Sequence, residues 1–215
     1  MCFLRLSSFL RARSEPGERL ILVAGLAGYL VGSLPTAVAL GRLWGVDLRR
    51  EGSRNPGTNN ARRLGGNSLA VVVLAVEIAK GAGSVVLGAA LAGSGGAIAA
   101  GVAASAGNVY NVWYRFEGGK GLGISAGVLA AAWPTVFVPI IVVIIVAALV
   151  SRSSGIAALI AIGAINLFAV IWASKDLPTG WGVPAGPLLF GLSIGLSLVI
   201  LQRHIRDAVK PTGHP

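Results

Sequence analysis

Long apolar segments constrain this chain more than any other feature of its sequence. They occupy residues 20–43, 68–91, 97–114, 122–150, 156–173 and 183–201. A helix that crosses a bilayer needs about 20 mostly apolar residues. The mean hydropathy is +0.77 and only 12% of residues are charged, whereas soluble domains contain about 25% charged residues. The sequence therefore predicts an integral membrane protein.

We predict an all-α membrane protein, a bundle of about seven transmembrane helices. The block 122–150 is divided near Trp133 and Pro134 into two helices, with a single long tilted helix as the alternative. Gly32 and Pro35 predict a bend in the first span. The 31 glycines and few aromatic residues indicate helices that pack through small side chains.

Basic residues are distributed unevenly between the loops. The loops that follow the odd-numbered predicted helices, with the C-terminal tail, hold Arg42, Arg49, Arg50, Arg54, Arg62, Arg63, Arg115, Lys120, Arg152, Arg203, Arg206 and Lys210. The loops on the other side hold only Lys175. By the positive-inside rule, this pattern places the N-terminus outside and the C-terminus in the cytoplasm. The arginines before residue 20 oppose that orientation, but the loop pattern recurs four times.

The domain organisation follows from the same blocks. We predict an N-terminal extension at 1–19, a single transmembrane domain at 20–202 and a cytoplasmic tail at 203–215. The extension lacks the apolar core and cleavage site of a signal peptide, and an interfacial amphipathic segment is the alternative. Cys2 is the only cysteine, so no internal disulfide can form. A net charge of +10 is explained here by cytoplasmic loops and anionic substrates rather than by nucleic acid.

A polar segment at 52–65, GSRNPGTNNARRLG, separates the first two apolar blocks. Gly52 and Gly57 allow backbone N–H groups to converge on an anion, neighbouring Ser, Thr and Asn residues add neutral donors, and arginines supply charge. The pattern predicts a phosphate-binding loop that faces the cytoplasm. An ordinary juxtamembrane loop is the alternative, since turns and basic residues collect there too.

Two further polar features lie in or beside the apolar blocks. Residues 115–121, RFEGGKG, place Lys120 among three glycines and predict a second anion site, with a plain glycine turn as the alternative. Glu77 and Lys80 stand three residues apart inside the second span. Charges at membrane depth are costly, so we expect these two to pair and to face the bundle interior. All polar clusters fall at predicted cytoplasmic helix ends, where they can converge on one site for a phosphorylated substrate.

From about residue 32 onward the chain resembles the bacterial acyl-phosphate:glycerol-3-phosphate acyltransferases, which are small seven-helix membrane enzymes. The resemblance rests on short motifs in a fitting order. These are GSLPT at 32–36, GVDLR at 45–49, GS at 52–53, NPG at 55–57, RLG at 63–65, GGKG at 118–121, VS and SS at 150–154, and RH at 203–204.

This resemblance implies the reaction and the site. A fatty acyl phosphate would donate its acyl group to the sn-1 hydroxyl of glycerol 3-phosphate, giving lysophosphatidate, without metal or cofactor. We expect the chain to act as a monomer in the bacterial inner membrane. Catalytic roles are expected for Lys120, Arg63 and Ser154. Substrate binding is expected for Ser53, Asn55, Gly57, Asn59, Asn60, Gly118, Gly119, His204 and Asp207.

Several positions depart from the family pattern. Asn59 replaces a threonine, Asn108 and Asn111 replace a histidine and a proline, Glu117 replaces a lysine, Glu77 an aspartate and Asp207 an asparagine. The changes at Glu117 and Asp207 weaken the attraction for phosphate groups. A non-catalytic relative that binds phosphorylated lipid is therefore one alternative. A small anion transporter is the weaker one, because no internal repeat is visible.

Overall fold

The structure, a computed structural model, describes the backbone of residues 17–209 and the side chains of residues 17–205, and in this part of the chain every regular element is helical. The residues of the predicted extension from 1 to 16 lie outside this description. A short 3₁₀ turn, Val112–Tyr114, precedes the fourth helix. The helices are α1 (Glu18–Ser33), α2 (Thr36–Leu43), α3 (Thr58–Val109), α4 (Leu122–Ala132), α5 (Pro134–Ser151), α6 (Ser154–Lys175) and α7 (Pro187–Val209).

Five stretches of the described chain are long and apolar enough to cross a membrane. They are Glu18–Leu43, Thr58–Tyr114, Pro134–Ser151, Ser154–Lys175 and Pro187–Ile205, with Leu122–Ala132 as a shorter apolar helix. The prediction of an all-α membrane protein is confirmed. The predicted division of the block 122–150 is also confirmed, because α4 ends at Ala132 and α5 begins at Pro134, where proline fits the first helical turn.

Helix α3 is a hairpin rather than one straight rod. Its 52 residues would extend about 78 Å at 1.5 Å per residue, far more than the ~30 Å of a bilayer core. The backbone leaves helical geometry at Gly66, where φ is +73°, and again at Ala92 and at Gly93, where φ is +58°. On the two sides of the break at 92–93, Gly88 and Gly96 face each other, and a Cβ on either would overlap the other's carbonyl oxygen. Residues 67–91 and 94–109 therefore form two tightly packed antiparallel segments.

Small residues also join α1 to the second half of this hairpin. A Cβ on Gly28 would overlap the backbone of Ala100, and one on Gly32 would overlap that of Ala104. Glycines four residues apart lie on one helix face, where they let two helix backbones approach closely. The prediction that the spans pack through small residues is confirmed at this contact.

The main apolar core lies among the α3 hairpin, α4, α5, α6 and α7, around the fully buried Trp133. The Trp133 and Trp172 rings meet edge to face with centroids 5.6 Å apart, a favourable arrangement of aromatic quadrupoles. Further buried members are Val136, Ile140, Ile165, Leu189, Leu192 and Leu196. This core packs together α4 and α7, the helices that flank the turn carrying Lys120.

The prediction of a loop over 52–65 was wrong in its second half. Gly57 has an extended backbone, and α3 begins at Thr58, so Asn59, Asn60 and Arg63 lie on its first two turns. The segment after Gly57 contains no proline, and its Ala, Arg and Leu residues favour a helix. The third span also ends earlier than predicted, at Val109. At the other end of the chain α7 continues through Arg203 and His204 to Val209.

Candidate active site

At the break between α1 and α2, two backbone carbonyl groups accept hydrogen bonds from side chains instead of from the helix backbone. Pro35 has no N–H and cannot continue the ladder of α1, so α1 ends at Ser33 and α2 begins at Thr36. The freed carbonyl oxygen of Leu34 accepts a hydrogen bond from Lys80 Nζ at 3.0 Å. That of Ser33 accepts one from Asn111 Nδ2 at 2.7 Å. The bend predicted here is confirmed. Lys80 of α3 and Asn111 of the following turn donate hydrogen bonds to the carbonyl oxygens that the bend frees.

Glu77 and Lys80 form a buried ion pair, as predicted from their spacing. Lys80 Nζ lies 3.1 Å from Glu77 Oε1, and the two side chains are 7% and 9% exposed. Glu77 Oε1 also accepts from the Thr36 hydroxyl at 3.1 Å, and Oε2 accepts from Asn108 Nδ2 at 2.6 Å. Because both charges have several partners, burial is tolerated, whereas removal of one partner would leave the other uncompensated. The pair joins α2 to both halves of the α3 hairpin.

The turn that carries Lys120 is held by backbone contacts. Gly118 N donates to Val109 O at 3.0 Å, and Gly119 N donates to Asn108 O at 2.9 Å. A Cβ on Gly118 would overlap the Asn108 carbonyl oxygen, so only glycine allows this approach. Gly121 then takes a φ of +83° as the N-cap of α4, a conformation that favours glycine. Lys120 itself is half-buried.

Helix α7 supports the same turn from the other side. Arg203 Nη2 donates to the Phe116 carbonyl oxygen at 3.0 Å. His204 is fully buried, and its Nε2 lies 3.3 Å from the Lys120 carbonyl oxygen, which can accept from the tautomer protonated at Nε2. Thus the predicted binding residue His204 contacts the turn through its backbone. The side chain of Asp207 lies outside the described residues.

In the earlier polar loop, residues 44–57, one buried side chain makes three hydrogen bonds to the backbone. Asn60 is 2% exposed; its Oδ1 accepts from Ser53 N at 2.9 Å. Its Nδ2 donates to Leu48 O at 3.0 Å and to Glu51 O at 3.1 Å. The loop backbone therefore uses both amide protons of Asn60 as well as its oxygen. These contacts indicate that Asn60 fixes the shape of the loop. Ser53 remains exposed at its edge.

The two glycine-containing segments meet beside the ion pair. A Cβ built on Gly119 would lie 3.7 Å from the Pro56 carbonyl oxygen. A cleft between them is lined by Pro35, Pro56, Glu77, Asn108, Asn111, Tyr114, Gly118 and Gly119. The structure therefore brings the GSLPT, NPG and GGKG motifs to one place, although they are distant in sequence.

The remaining predicted site residues are not joined to this cleft by described contacts. Asn59 and Arg63 are exposed on the first turns of α3, and Asn55 is half-buried before it. Ser154 is exposed at the start of α6, next to Ser153, whose Oγ accepts from Ile156 N at 3.3 Å as the helix cap. Among the described hydrogen bonds and ion pairs, none links Ser154 to the two loops.

An apolar crevice begins next to the Lys120 turn. It lies among α4, α5, α6 and α7, and its lining includes Leu122, Leu129, Ile140, Ile144, Ile165 and Ile200. A Cβ on Gly121 would lie 3.0 Å from Ile200 Cγ2, so the turn and the crevice share a wall. A lysine next to the mouth of an apolar crevice suits a molecule with an anionic head and an apolar chain.

Sequence reasoning did not find every residue that shapes this site. It missed the roles of Tyr29, whose hydroxyl donates to Tyr110 O at 2.6 Å, and of Arg49, whose guanidinium carbon lies 3.9 Å from the centroid of the Tyr114 ring. A tyrosine inside an apolar span was the available signal for Tyr29, since a buried hydroxyl needs a partner. Nothing in the sequence indicated the pairing of Arg49 with Tyr114.

Comparison with known proteins shows the family of this chain. Residues 22–210 match the family model described as glycerol-3-phosphate acyltransferase. A glycerol-3-phosphate acyltransferase from Synechococcus sp. (strain JA-3-3Ab) is 38% identical over 184 residues, which cover 85% of this chain and 86% of the relative. One from Rubrobacter xylanophilus is 37% identical over 155 residues, 71% of this chain and 77% of the relative.

A solved structure shares the fold. The crystal structure of PlsY (YgiH), an integral membrane glycerol 3-phosphate acyltransferase in its glycerol 3-phosphate form, is 26% identical with a TM-score of 0.73. The match covers 87% of this chain and 90% of that one. With the motifs gathered at one cleft and the match extending over most of its length, this chain belongs to the glycerol-3-phosphate acyltransferase family.

Proposed function

We propose that this protein transfers a fatty acyl group from acyl phosphate to the sn-1 hydroxyl of glycerol 3-phosphate. The hydroxyl oxygen forms the new ester bond to the acyl carbon, and the bond from that carbon to the phosphate oxygen breaks. The products are lysophosphatidate and phosphate. In the net reaction, the proton of the hydroxyl group is transferred to the released phosphate. An acyl phosphate is already activated, so positioning and charge stabilisation are the main tasks of the protein.

The observation that carries this proposal is the position of the Lys120 turn at the mouth of the apolar crevice. Lys120 supplies the cation, and Gly118 and Gly119 remove side-chain bulk beside it. In the proposal, the crevice shelters the acyl chain while the turn holds the phosphate end. Arg63 and Ser154 serve as further catalytic groups. Ser53, Asn55, Gly57, Asn59, Asn60, Gly118, Gly119, His204 and Asp207 form the wider binding site proposed from the motifs.

The donor class is tested by a direct comparison of two activated acyl groups. Purified protein in lipid bilayers receives radiolabelled glycerol 3-phosphate with either palmitoyl phosphate or palmitoyl-CoA, and lysophosphatidate is measured. We expect product with the acyl phosphate and little with the thioester, because the sequence contains no HxxxxD pattern of the acyl-CoA-dependent enzymes. Preference for palmitoyl-CoA would overturn the donor assignment. Absence of turnover with both would favour a lipid-binding relative.

The proposal includes seven transmembrane segments: α1 together with α2, the two halves of the α3 hairpin, α4, α5, α6 and α7. The N-terminus is outside, and the site faces the cytoplasm of a bacterium at its inner membrane, where the protein acts as a monomer. The uneven distribution of basic residues supports this orientation. In a Cys2→Ser background, Glu117→Cys should resist an impermeant thiol reagent in intact cells, whereas Ser174→Cys should react. Both positions are exposed, so reversed labelling would invert the topology.

A further inference from the structure

Four arginines surround one tyrosine beside the candidate site. Arg42 comes from the last turn of α2, Arg49 and Arg50 from the following loop, and Arg115 from the turn after α3. Arg42, Arg49, Arg50 and Tyr114 line one surface hollow with Asp47. Arg49, Tyr114 and Arg115 line a second with Trp113 and Glu117. We call Arg42, Arg49, Arg50 and Arg115 the arginine cluster.

The positive charge of this cluster is only partly balanced by protein groups. Arg50 Nε lies 3.8 Å from Asp47 Oδ2, and the Arg50 side chain is 88% exposed. The other ion pair of the described chain joins Lys80 to Glu77, so Arg42, Arg49 and Arg115 have no carboxylate within 4.0 Å among the described residues. Asp47 in the first hollow and Glu117 in the second offset part of this charge, but the two hollows still hold four guanidinium groups against two carboxylates. This excess of positive charge attracts an anion.

Large exposed apolar side chains lie next to the cluster: Trp113 lines the second hollow, and Leu43 and Phe116 follow Arg42 and Arg115 directly in the chain. Leu43 is 80% exposed, Trp113 is 63% exposed and Phe116 is 57% exposed. They stand where the first apolar stretch and the α3 hairpin end, next to Arg42 and Arg115. Arginine mixed with exposed tryptophan at the ends of spans is typical of the membrane–water interface. A small soluble anion would gain nothing from these apolar side chains, whereas a lipid would contact them with its glycerol and acyl region.

We propose that the arginine cluster binds the phosphodiester headgroup of an anionic phospholipid resident in the bilayer, at a site separate from the candidate active site. Guanidinium groups hold phosphate oxygens through paired hydrogen bonds. Tyr114 lines both hollows and also the cleft that contains Glu77 and Asn108. A lipid bound to Arg49 and Arg115 therefore links the loop at 44–50 to the turn at 111–118 across this tyrosine.

The test measures lipid retention directly. Full-length protein in neutral detergent is titrated with dioleoyl phosphatidylglycerol or dioleoyl phosphatidylcholine, and bound lipid is counted by native mass spectrometry. The variant Arg42→Gln/Arg115→Gln removes two exposed cluster charges. The control Arg19→Gln/Lys175→Gln removes two exposed charges elsewhere. We expect the cluster variant to bind phosphatidylglycerol roughly tenfold or more weakly, since each basic residue near an anionic headgroup contributes about fivefold, and the control to match the unmodified protein.

Three results would overturn the proposal. One is equal loss of phosphatidylglycerol from both variants, which would indicate a general charge effect. Another is equal retention of phosphatidylcholine and phosphatidylglycerol. The third is displacement of phosphatidylglycerol by millimolar glycerol 3-phosphate or inorganic phosphate, which would assign the hollows to a soluble anion. The single variant Arg115→Gln, at an exposed loop position, repeats the test if the double variant unfolds.

Discussion

The two polar segments of the site are held in place by different parts of the chain. Residues 44–57 are held largely by side chains: Asn60 hydrogen bonds to three backbone groups of that loop, and Leu48 is buried in an apolar cluster. The turn at 115–121 depends on backbone contacts of Gly118 and Gly119 with the end of α3. For the first segment, Asn60 and the buried Leu48 should therefore be sensitive to substitution, whereas exposed Arg50 should tolerate it. In the second segment, Gly118 should be sensitive to an added atom, whereas exposed Glu117 should tolerate substitution.

Lys120→Ala is expected to give the largest effect. Loss of one preorganised charged donor costs about 3 kcal/mol of transition-state stabilisation, or roughly a hundredfold in turnover. Turnover with palmitoyl phosphate should fall by that factor while the protein remains folded and inserted. The control Lys175→Ala, on an exposed helix end, should keep normal turnover. Near-normal activity of Lys120→Ala would move the anion site away from this turn.

Gly118→Ala and Gly57→Ala compare the same change in the two segments. The new methyl group would overlap the Asn108 carbonyl oxygen in the turn, whereas at Gly57 it would meet only the Asn55 side chain at 3.1 Å. Overpacking against backbone costs about 1–3 kcal/mol. We expect Gly118→Ala to lower thermal stability in detergent and turnover together, with a clearly smaller effect on stability from Gly57→Ala. Similar losses of stability in both would remove the distinction between the segments.

Asn60→Ala removes the hydrogen bonds that hold the first loop. Backbone groups left unsatisfied by this change cost about 1–3 kcal/mol if they stay buried. The thermal midpoint should decrease, and KM for glycerol 3-phosphate should rise more than kcat falls, because Ser53 loses its fixed position. Asn67→Ala, at an exposed site farther along α3, serves as the stability control. A change in kcat alone would argue for direct participation of Asn60 in the reaction.

Arg50→Gln is expected to give the smallest effect on stability. The Arg50 side chain is 88% exposed and its distance to Asp47 is 3.8 Å, so the pair should contribute well below about 1 kcal/mol. The unfolding midpoint of this variant in neutral detergent should equal that of the unmodified protein. A marked decrease would mean that the loop at 44–57 is held by charge as well as by Asn60.

The sequence was most informative where one local rule decided the outcome. The spacing of Glu77 and Lys80 predicted their pairing because residues three apart share a helix face, and Pro35 predicted the break after α1 because it lacks an N–H. The start of α3 at Thr58 was missed, since the many Asn and Gly residues before Ala61 are typical of loops. The amide of Asn60 turning back to Leu48 and Glu51 depends on tertiary packing, which residue spacing does not encode.

Much of the candidate site could also be located from its motifs, and the structure shows why its individual roles could not. His204 contacts Lys120 through the backbone carbonyl group, so a binding motif can act by positioning another residue. Asn108 contributes two hydrogen bonds to the candidate site: its side chain donates to Glu77, and its backbone carbonyl oxygen accepts from Gly119 N. These double roles arise from contacts between segments far apart in the chain.

The Gly88–Gly96 contact has a consequence for how the protein is made. Only Ala92 and Gly93 leave helical geometry between the two halves of the hairpin, and the halves touch through their backbones near this bend. Lipid cannot enter between the two halves at that contact, so they should leave the insertion machinery together as one unit rather than one after the other. The buried Glu77 and Lys80 on the first half would then enter the bilayer already beside the segment that carries Asn108.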